Sequence, residues 1–192
     1  MGLLDLRLQE FLDEVASERL TPSGGSVAAL VTAAAAGLLA KIARASKDAW
    51  PDAAGIAAQA ESLRDRATPL AQATADEYEK ALRARETAEG PTERRDFALG
   101  RAYARAAEPP LRIVETANDV AQLSVAVARF GEPALHADAV AAGALAAGAA
   151  HAAAELVAIN LTASVGDVRV VRARNLAEEA ARAAEEAQAA RE

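Results

Sequence analysis

The amino-acid sequence predicts an all-α protein, a bundle of six to eight helices, on three observations. Hydrophobic residues make up 52% of the 192 residues but aromatic residues only 3%, so the core must consist of Ala, Leu and Val. Alanine has the highest helix propensity, and its small side chain lets helices approach closely. No alternation of apolar and polar residues typical of a β-strand lasts more than a few positions. The length, without an internal repeat, favours a single domain over residues 1–192.

Apolar residues at helical spacing, interrupted by turns, divide the chain into seven predicted helices. In chain order they span residues 5–17, 26–46, 52–87, 92–107, 110–130, 135–164 and 168–192. The breaks between them are rich in Pro, Gly and Ser, and one of them is Trp-Pro-Asp. They lie at residues 22–26, 50–52, 89–92, 109–110, 131–133 and 165–167. Pro69 lies inside the third helix and is expected to kink or break it. Thr92 is the expected N-cap of the fourth helix.

Two of these helices, 26–46 and 135–164, are predicted to be the buried central helices. The first is apolar nearly all round until Lys41 and Arg44, and the second is rich in alanine along its length. Closely packed alanine faces bury little area per residue. We therefore expect additional burial through self-association, as a homodimer.

Charge and composition exclude several classes of function. A net charge of −7 and a pI near 5.0 argue against nucleic-acid binding, which needs a basic face. The absence of cysteine excludes disulfides and thiolate metal sites, and two histidines make a His-rich metal site unexpected. The N-terminus has no basic segment followed by a cleavable apolar run, and the apolar stretch 137–161 carries polar residues. We expect a soluble, cytoplasmic protein with no membrane span and no bound metal.

The segment Pro22-Ser23-Gly24-Gly25-Ser26 is the most informative feature of the chain. Pro22 fixes its own φ, and Gly24 and Gly25 can adopt positive φ and let another group approach the backbone. Ser26 stands where an N-cap is expected, and the free N–H groups of a first helical turn attract anions and electron-rich ligand groups. An ordinary turn before a capped helix is the alternative. If the segment binds a ligand, a β-branched residue at Gly25 should crowd that ligand more than it disturbs the fold.

The run 22–30 resembles the Pro-Gly-Gly-Gly-Ser-x-Ala-Ala signature of the formiminotransferase-cyclodeaminase C-terminal family, which includes bacterial methenyltetrahydrofolate cyclohydrolases. Three further features follow in the family's order, namely residues 70–78, residues 106–110, and residues 137–142 with 159–161. The resemblance spans residues 8–167. Ser23 stands where the family has the first of its three glycines, which makes the loop less free.

The resemblance implies chemistry on the one-carbon bridge between N5 and N10 of tetrahydrofolate, with no metal or redox cofactor. A cyclodeaminase closes a formimino group into the methenyl bridge and expels ammonia. A cyclohydrolase opens the methenyl bridge with water to give the 10-formyl form. With no transferase domain attached, we expect the cyclohydrolase slightly ahead, and the sequence itself does not decide between the two.

Under this resemblance Asp76 and Asp138 are the candidate acid/base residues. Methenyltetrahydrofolate is an amidinium-like cation, which a carboxylate would stabilise while relaying protons. Simpler explanations exist for both residues, because Asp76 could be a solvated helix acid and Asp138 could complement the dipole at its helix N-terminus. Pro22, Gly24, Gly25 and Ser26 are the candidate substrate-binding loop, and Tyr78 or Trp50 could cover a flat heterocycle.

The remaining candidates for substrate binding lie far from one another in sequence. Lys41 and Arg44 are predicted to hold the anionic glutamate tail, although cations at a helix end also complement its dipole. Asn160 lies in an apolar helix and must find partners in a loop or a ligand. It is 22 positions after Asp138, about 33 Å along a straight helix. A shared site therefore needs either a helix break at Gly143 and Gly148 or a second subunit.

A non-enzymatic helical module that mediates self-association is the alternative function. It accounts for the alanine-rich composition equally well. It does not explain why the loop, Asp138 and Asn160 occur together, and a turnover assay distinguishes the two hypotheses.

Overall fold

In the computed structural model, which describes residues 2–87, 91–162 and 166–190, the chain forms eight α-helices and no β-strand among those residues. They are α1 (Leu8–Val15), α2 (Gly24–Ala45), α3 (Ala53–Ala67), α4 (Leu70–Glu86), α5 (Thr92–Ala106), α6 (Glu108–Phe130), α7 (His136–Asn160) and α8 (Val168–Ala189). The prediction of an all-α bundle of six to eight helices is confirmed.

Several predicted boundaries need correction. The first helix is shorter than residues 5–17, because a 3-10 turn at Leu3–Asp5 precedes α1. Pro69 breaks the predicted helix 52–87 into α3 and α4, as expected of a residue without a backbone N–H. Thr92 belongs to α5, and Pro91 occupies the N-cap position. The predicted turn residues 89–90, the turn residue and helix end at 164–165, and the chain end at 191–192 lie outside the described residues.

Helix α6 occupies the centre of the bundle and packs against α2, α3, α4, α5, α7 and α8. Fourteen of its 23 residues are buried, more than in either alanine-rich helix. Pro109 and Pro110 lie in its first turn, where the missing N–H groups have no helical partner to lose. Larger side chains such as Ile113, Val120 and Val127 fill the space between the alanine-rich helices. The sequence analysis did not single out this helix.

Helices α2 and α7 pack against each other in antiparallel orientation. Lys41 of α2 meets Asp138 at the start of α7, and Gly25 lies beside Leu156 near the other end. Both helices contribute to the core, but α7 also leaves an apolar face open to solvent. That face, here called the outer α7 face, consists of Ala141, Ala144, Leu145, Gly148 and Ala152.

Two segments, Gly24–Ala45 and Pro133–Asn160, are long and apolar enough to cross a membrane by length and composition. The core helix of a soluble protein meets the same criterion, and 61% of the apolar window in the first segment is buried inside the bundle.

Helix α8 runs parallel to α6 in a fixed register. Three polar contacts join residues that are 57 positions apart, and they recur every seven residues along both helices: Glu115 with Arg172, Gln122 with the carbonyl of Glu179, and Arg129 with Glu186. Seven residues make about two helical turns, so the contacts lie on one face of each helix. Alanines such as Ala173, Ala180 and Ala187 fill the seam and are buried.

Candidate functional site

The loop before α2 differs in one detail from the prediction. Ser23, not Ser26, is the N-cap residue, with an extended backbone and no hydrogen bond from its side chain to the helix. Ser26 is buried in the first turn, where its hydroxyl donates to the carbonyl of Ala71 at 2.7 Å. Its side chain therefore joins α2 to α4 and is not available to a ligand. Pro22 is also buried, while Gly24 is exposed.

Gly25 is required by packing between helices. A side chain at this position would place its Cβ 2.6 Å from Oγ1 of Thr74 and 3.3 Å from Cδ1 of Leu156. Gly24 and Gly25 both have helical backbone, and the positive φ expected for them is not observed; among the described glycines only Gly166 has one. The group that closely approaches the backbone of Gly25 is therefore helix α4 and not a ligand.

A cavity of about 250 Å³ lies beside the loop and is here called the loop cavity. It is formed where four segments meet: the loop, α4, the junction of α5 and α6, and the last turns of α7. Its lining residues are Leu20, Ser23, Thr74, Tyr78, Ala106, Pro110, Leu156, Ile159 and Asn160. Four segments singled out in the sequence, 22–30, 70–78, 106–110 and 159–161, thus supply the walls of one cavity.

Asn160 connects two walls of the loop cavity. Its Nδ2 donates to the carbonyl of Ala106 at 3.3 Å, which joins the end of α7 to the end of α5. The same side chain lines the cavity and is partly exposed. Tyr78, one of the two aromatic candidates, also lines the cavity. The other, Trp50, is buried elsewhere against Phe130, with ring centroids 5.8 Å apart.

The two predicted acid/base residues do not line the loop cavity of the single chain. Asp76 lies two positions from both Thr74 and Tyr78, so it projects from the opposite side of α4. Its Oδ1 accepts a hydrogen bond from Nε2 of Gln72 at 2.8 Å. Asp138 lies at the distant end of α7, where its carboxylate pairs with Lys41 at 3.0 Å.

The predicted cations lie at that distant end as well. Lys41 pairs with Asp138, and Arg44 pairs with Glu61 of α3. Helix α7 is continuous from His136 to Asn160, so Gly143 and Gly148 do not break it. Gly143 instead lets α7 approach α6, because a Cβ there would lie 2.5 Å from Oγ of Ser124. A site shared by Asp138 and Asn160 would therefore require a second subunit.

A second cavity, of about 430 Å³, separates α5 from the end of α7 and is here called the α5 cavity. Its walls are Asp96, Leu99, Gly100 and Tyr103 of α5, together with Ile159, Asn160 and Thr162. Ile159 and Asn160 line both cavities. The sequence analysis missed the α5 residues, although their i, i+3, i+4, i+7 spacing marks one helix face.

An ion-pair cluster supports the junction between α5 and α6. The guanidinium of Arg169 donates to both carboxylate oxygens of Asp167, to the carbonyl of Ala104 at 3.2 Å and to Glu108 at 2.6 Å. The side-chain hydrogen bond from Arg169, followed by the one from its backbone N–H, lowers the pKa of Asp167 below its ordinary value of 3.8. The same pairing raises the pKa of Arg169, which remains charged. The cluster thus holds the start of α8 against the wall that carries Ala106.

Within residues 2–87, 91–162 and 166–190, no group of three or more His, Asp and Glu side chains is placed to hold a metal ion. The polar groups of the loop cavity are hydroxyls and an amide, which suit hydrogen bonding to a heterocycle.

A family model and a solved structure each match nearly the whole chain. A model of the formiminotransferase-cyclodeaminase family matches residues 7–190. The crystal structure of formiminotetrahydrofolate cyclodeaminase from Thermotoga maritima superposes with a TM-score of 0.81 at 26% sequence identity, over 98% of this chain and 94% of that one. No curated protein matches the chain. The family model covers every segment that forms the loop cavity.

Proposed function

The chain belongs to the formiminotransferase-cyclodeaminase family, and on that premise we propose that it is an enzyme acting on the one-carbon bridge between N5 and N10 of tetrahydrofolate. One observation carries the proposal: four of the five segments that resemble the family's motifs, 22–30, 70–78, 106–110 and 159–161, converge on a single cavity. Ser23, Thr74, Tyr78 and Asn160 offer neutral donors and acceptors there, as a flat, hydrogen-bonding heterocycle requires.

The reaction that we place first is the cyclodeaminase reaction, in which N10 displaces ammonia from a 5-formimino group and leaves the methenyl bridge. A solved structure that matches nearly the whole chain carries that activity in its name, and the two chains cover each other by 98% and 94%. Because a chain of similar length carries the cyclodeaminase name, the length of this chain does not favour the cyclohydrolase, which is the second candidate. We propose that the protein works in the cytoplasm without metal or redox cofactor.

We also propose that the active form is a homodimer joined through the outer α7 face. Small residues and Leu145, which is 44% exposed, give this face an apolar, closely approachable surface. Because α2 and α7 are antiparallel, a two-fold axis across the pair would bring the Lys41–Asp138 end of one subunit to the loop cavity of the other. Asp138 would then face the reacting carbon, and Lys41 and Arg44 the glutamate tail.

A single absorbance assay tests the activity, because methenyltetrahydrofolate absorbs in the near ultraviolet. Purified protein should raise that absorbance and release ammonia with 5-formiminotetrahydrofolate, or lower it with the methenyl compound if the chain is a cyclohydrolase. A chelator should change neither rate. If neither compound is turned over and calorimetry detects no folate binding, the non-enzymatic helical module becomes the better hypothesis.

A further inference from the structure

The loop cavity is smaller than a whole tetrahydrofolate requires. Its volume is about 250 Å³, whereas pockets that enclose a drug-sized ligand measure roughly 300–1,000 Å³. Tetrahydrofolate consists of a pterin ring system, an aminobenzoyl ring and a glutamate tail. N5 belongs to the pterin, and N10 links the pterin to the aminobenzoyl ring. A pterin bound in the loop cavity therefore leaves the aminobenzoyl ring to be bound in an adjoining space.

The α5 cavity, of about 430 Å³, adjoins the loop cavity. The two cavities share Ile159 and Asn160, the last two residues of α7, as lining residues. Ile159 is 67% exposed, so the boundary between the cavities lies at the protein surface. A ligand with two rings can therefore cross this boundary without displacing any part of the core.

Each of these cavities contains one of the two tyrosines of the chain. Tyr78 lines the loop cavity and Tyr103 lines the α5 cavity. Tyr103 lies three positions before Ala106, about 4.5 Å along the same face of α5. The carbonyl of Ala106 accepts the hydrogen bond from Asn160, the residue common to both cavities. Tyr103 therefore lies at the end of the α5 cavity that adjoins the loop cavity.

The surroundings of Tyr103 leave its ring available to a ligand. The side chain is partly exposed, and it takes part in no hydrogen bond or ring contact with the described residues. Leu99, Gly100 and Ile159 give the cavity an apolar lining, which suits a flat ring. Asp96, the acidic residue in the described lining of this cavity, lies seven positions before Tyr103, about 10 Å along the helix. The Tyr103 end of the cavity is therefore the end for a neutral aromatic group.

We propose that the α5 cavity binds the aminobenzoyl ring of the folate and that Tyr103 holds this ring by stacking on it. The inference rests on the proposed function and adds a substrate-binding residue outside the segments that resemble the family. With the pterin on the Tyr78 side, the bridge between N5 and N10 lies at the boundary between the two cavities, where Ile159 and Asn160 are found.

This role predicts a particular kinetic change. The aminobenzoyl ring does not react, so stacking on it stabilises the bound substrate and the transition state equally. Losing such uniform binding raises KM and leaves kcat unchanged. We therefore expect Tyr103→Ala to raise KM by about tenfold, the scale of one aromatic contact, with kcat changed less than about threefold. Tyr103→Phe keeps the ring and should retain wild-type kinetics.

Phe97→Ala is the matched control, because it removes another aromatic ring from the same helix. Phe97 is 69% exposed, lies next to the guanidinium of Arg101 and lines neither cavity. Its kinetics should be those of the wild type. Far-ultraviolet circular dichroism should be unchanged in all three variants.

A truncated ligand shows whether Tyr103 acts on the aminobenzoyl ring. Neutral 5-formyltetrahydrofolate carries both rings, whereas 5-formyl-6-methyltetrahydropterin lacks the aminobenzoyl ring and the tail. Each is measured as a competitive inhibitor of turnover, and the folate also by calorimetry. Tyr103→Ala should weaken binding of the folate by about tenfold and change binding of the truncated pterin by less than about twofold.

These measurements separate the inference from the proposed function. A Tyr103→Ala variant that binds the folate as wild type does, or that loses the same factor with the truncated pterin, overturns the role of Tyr103. A Tyr103→Phe variant as weak as Tyr103→Ala overturns stacking as its cause. Either result leaves the proposed function intact when the wild type shows turnover. A wild-type protein that neither turns over nor binds the folate overturns both.

Discussion

The two ends of the α2–α7 pair differ in character, since one end borders a cavity and the other carries charged side chains. At the loop end, apolar side chains, three hydroxyl groups and Asn160 enclose a cavity with no charged side chain in its described lining. At the opposite end, Lys41, Asp138 and Arg44 form exposed ion pairs, and neither cavity described above extends there. A flat cationic substrate needs both a cavity and charge. In the dimer that we propose, these two ends are half-sites that a two-fold axis across the antiparallel helices joins.

Separating the subunits should give the largest effect. Leu145→Glu places a charge in the centre of the outer α7 face and should convert a homodimer into a monomer. Turnover should fall by about 100-fold or more, because each composite site loses the charged half that assists catalysis. Light scattering at micromolar concentration measures the mass. Leu8→Glu on α1 is the control, since Leu8 is 73% exposed and does not belong to the outer α7 face.

Two outcomes would contradict this comparison. A wild-type protein that is monomeric at micromolar concentration would remove the dimer. A monomeric Leu145→Glu protein with full turnover would show that one chain carries a complete site.

Removing single carboxylates should have the next largest effect. Asp138→Asn and Asp76→Asn should both keep the helical fold, and at least one should lower turnover about 100-fold. The composite site favours Asp138, because Asp76 projects away from the loop cavity and binds Gln72. Near-normal turnover in both variants would remove these two carboxylates from the mechanism.

Mixing two inactive variants sharpens the same comparison. If Asp138 acts on the partner's cavity, a mixed dimer of Asp138→Asn and Asn160→Ala chains contains one site with both native residues. Random exchange of subunits should then restore about a quarter of wild-type turnover. No recovery after verified exchange would mean that Asp138 does not act on the partner's loop cavity.

The sequence predicted the loop end better than the charged end, for a physical reason. Segments 22–30, 106–110 and 159–161 stand out through Pro, Gly and an amide within an apolar helix, which are visible in the local sequence. The direction in which Asp76 projects depends on which side of α4 packs inward. The two sides of this helix differ too little in hydrophobicity for the sequence to predict that orientation. The meeting of Gly25 with Thr74 and the open face of α7 are properties of packing between distant segments.

The tight contact at the loop end should make stability sensitive to one glycine but not to its neighbour. Gly25→Ala places a Cβ 2.6 Å from Oγ1 of Thr74, and such overpacking costs about 1–3 kcal/mol. At about 2–4 °C per kcal/mol, Tm should fall by several degrees. Gly24→Ala meets no atom within 4 Å and should leave Tm unchanged or slightly raised. This replaces the expectation that Gly25→Val harms ligand binding more than stability. Equal Tm values for the two alanine variants would contradict the packing role of Gly25.

The smallest expected effect is a change in Tm. It comes from comparing an enclosed ion pair near the loop end with an exposed ion pair at the charged end. Arg169 lowers the pKa of Asp167 below 3.8, so the pairing stabilises the fold above about pH 4 and that contribution is lost as pH falls through the lower, folded-state pKa. Asp167→Asn keeps an N-cap for α8 but removes the charge. We expect a Tm about 2 °C below wild type at pH 7, and a difference that shrinks towards pH 3. Asp138→Asn breaks only an exposed pair with Lys41 and should shift Tm by less than about 1 °C. A Tm difference for Asp167→Asn that stays constant from pH 7 to pH 3 would show that its charge does not support the junction beside the loop cavity.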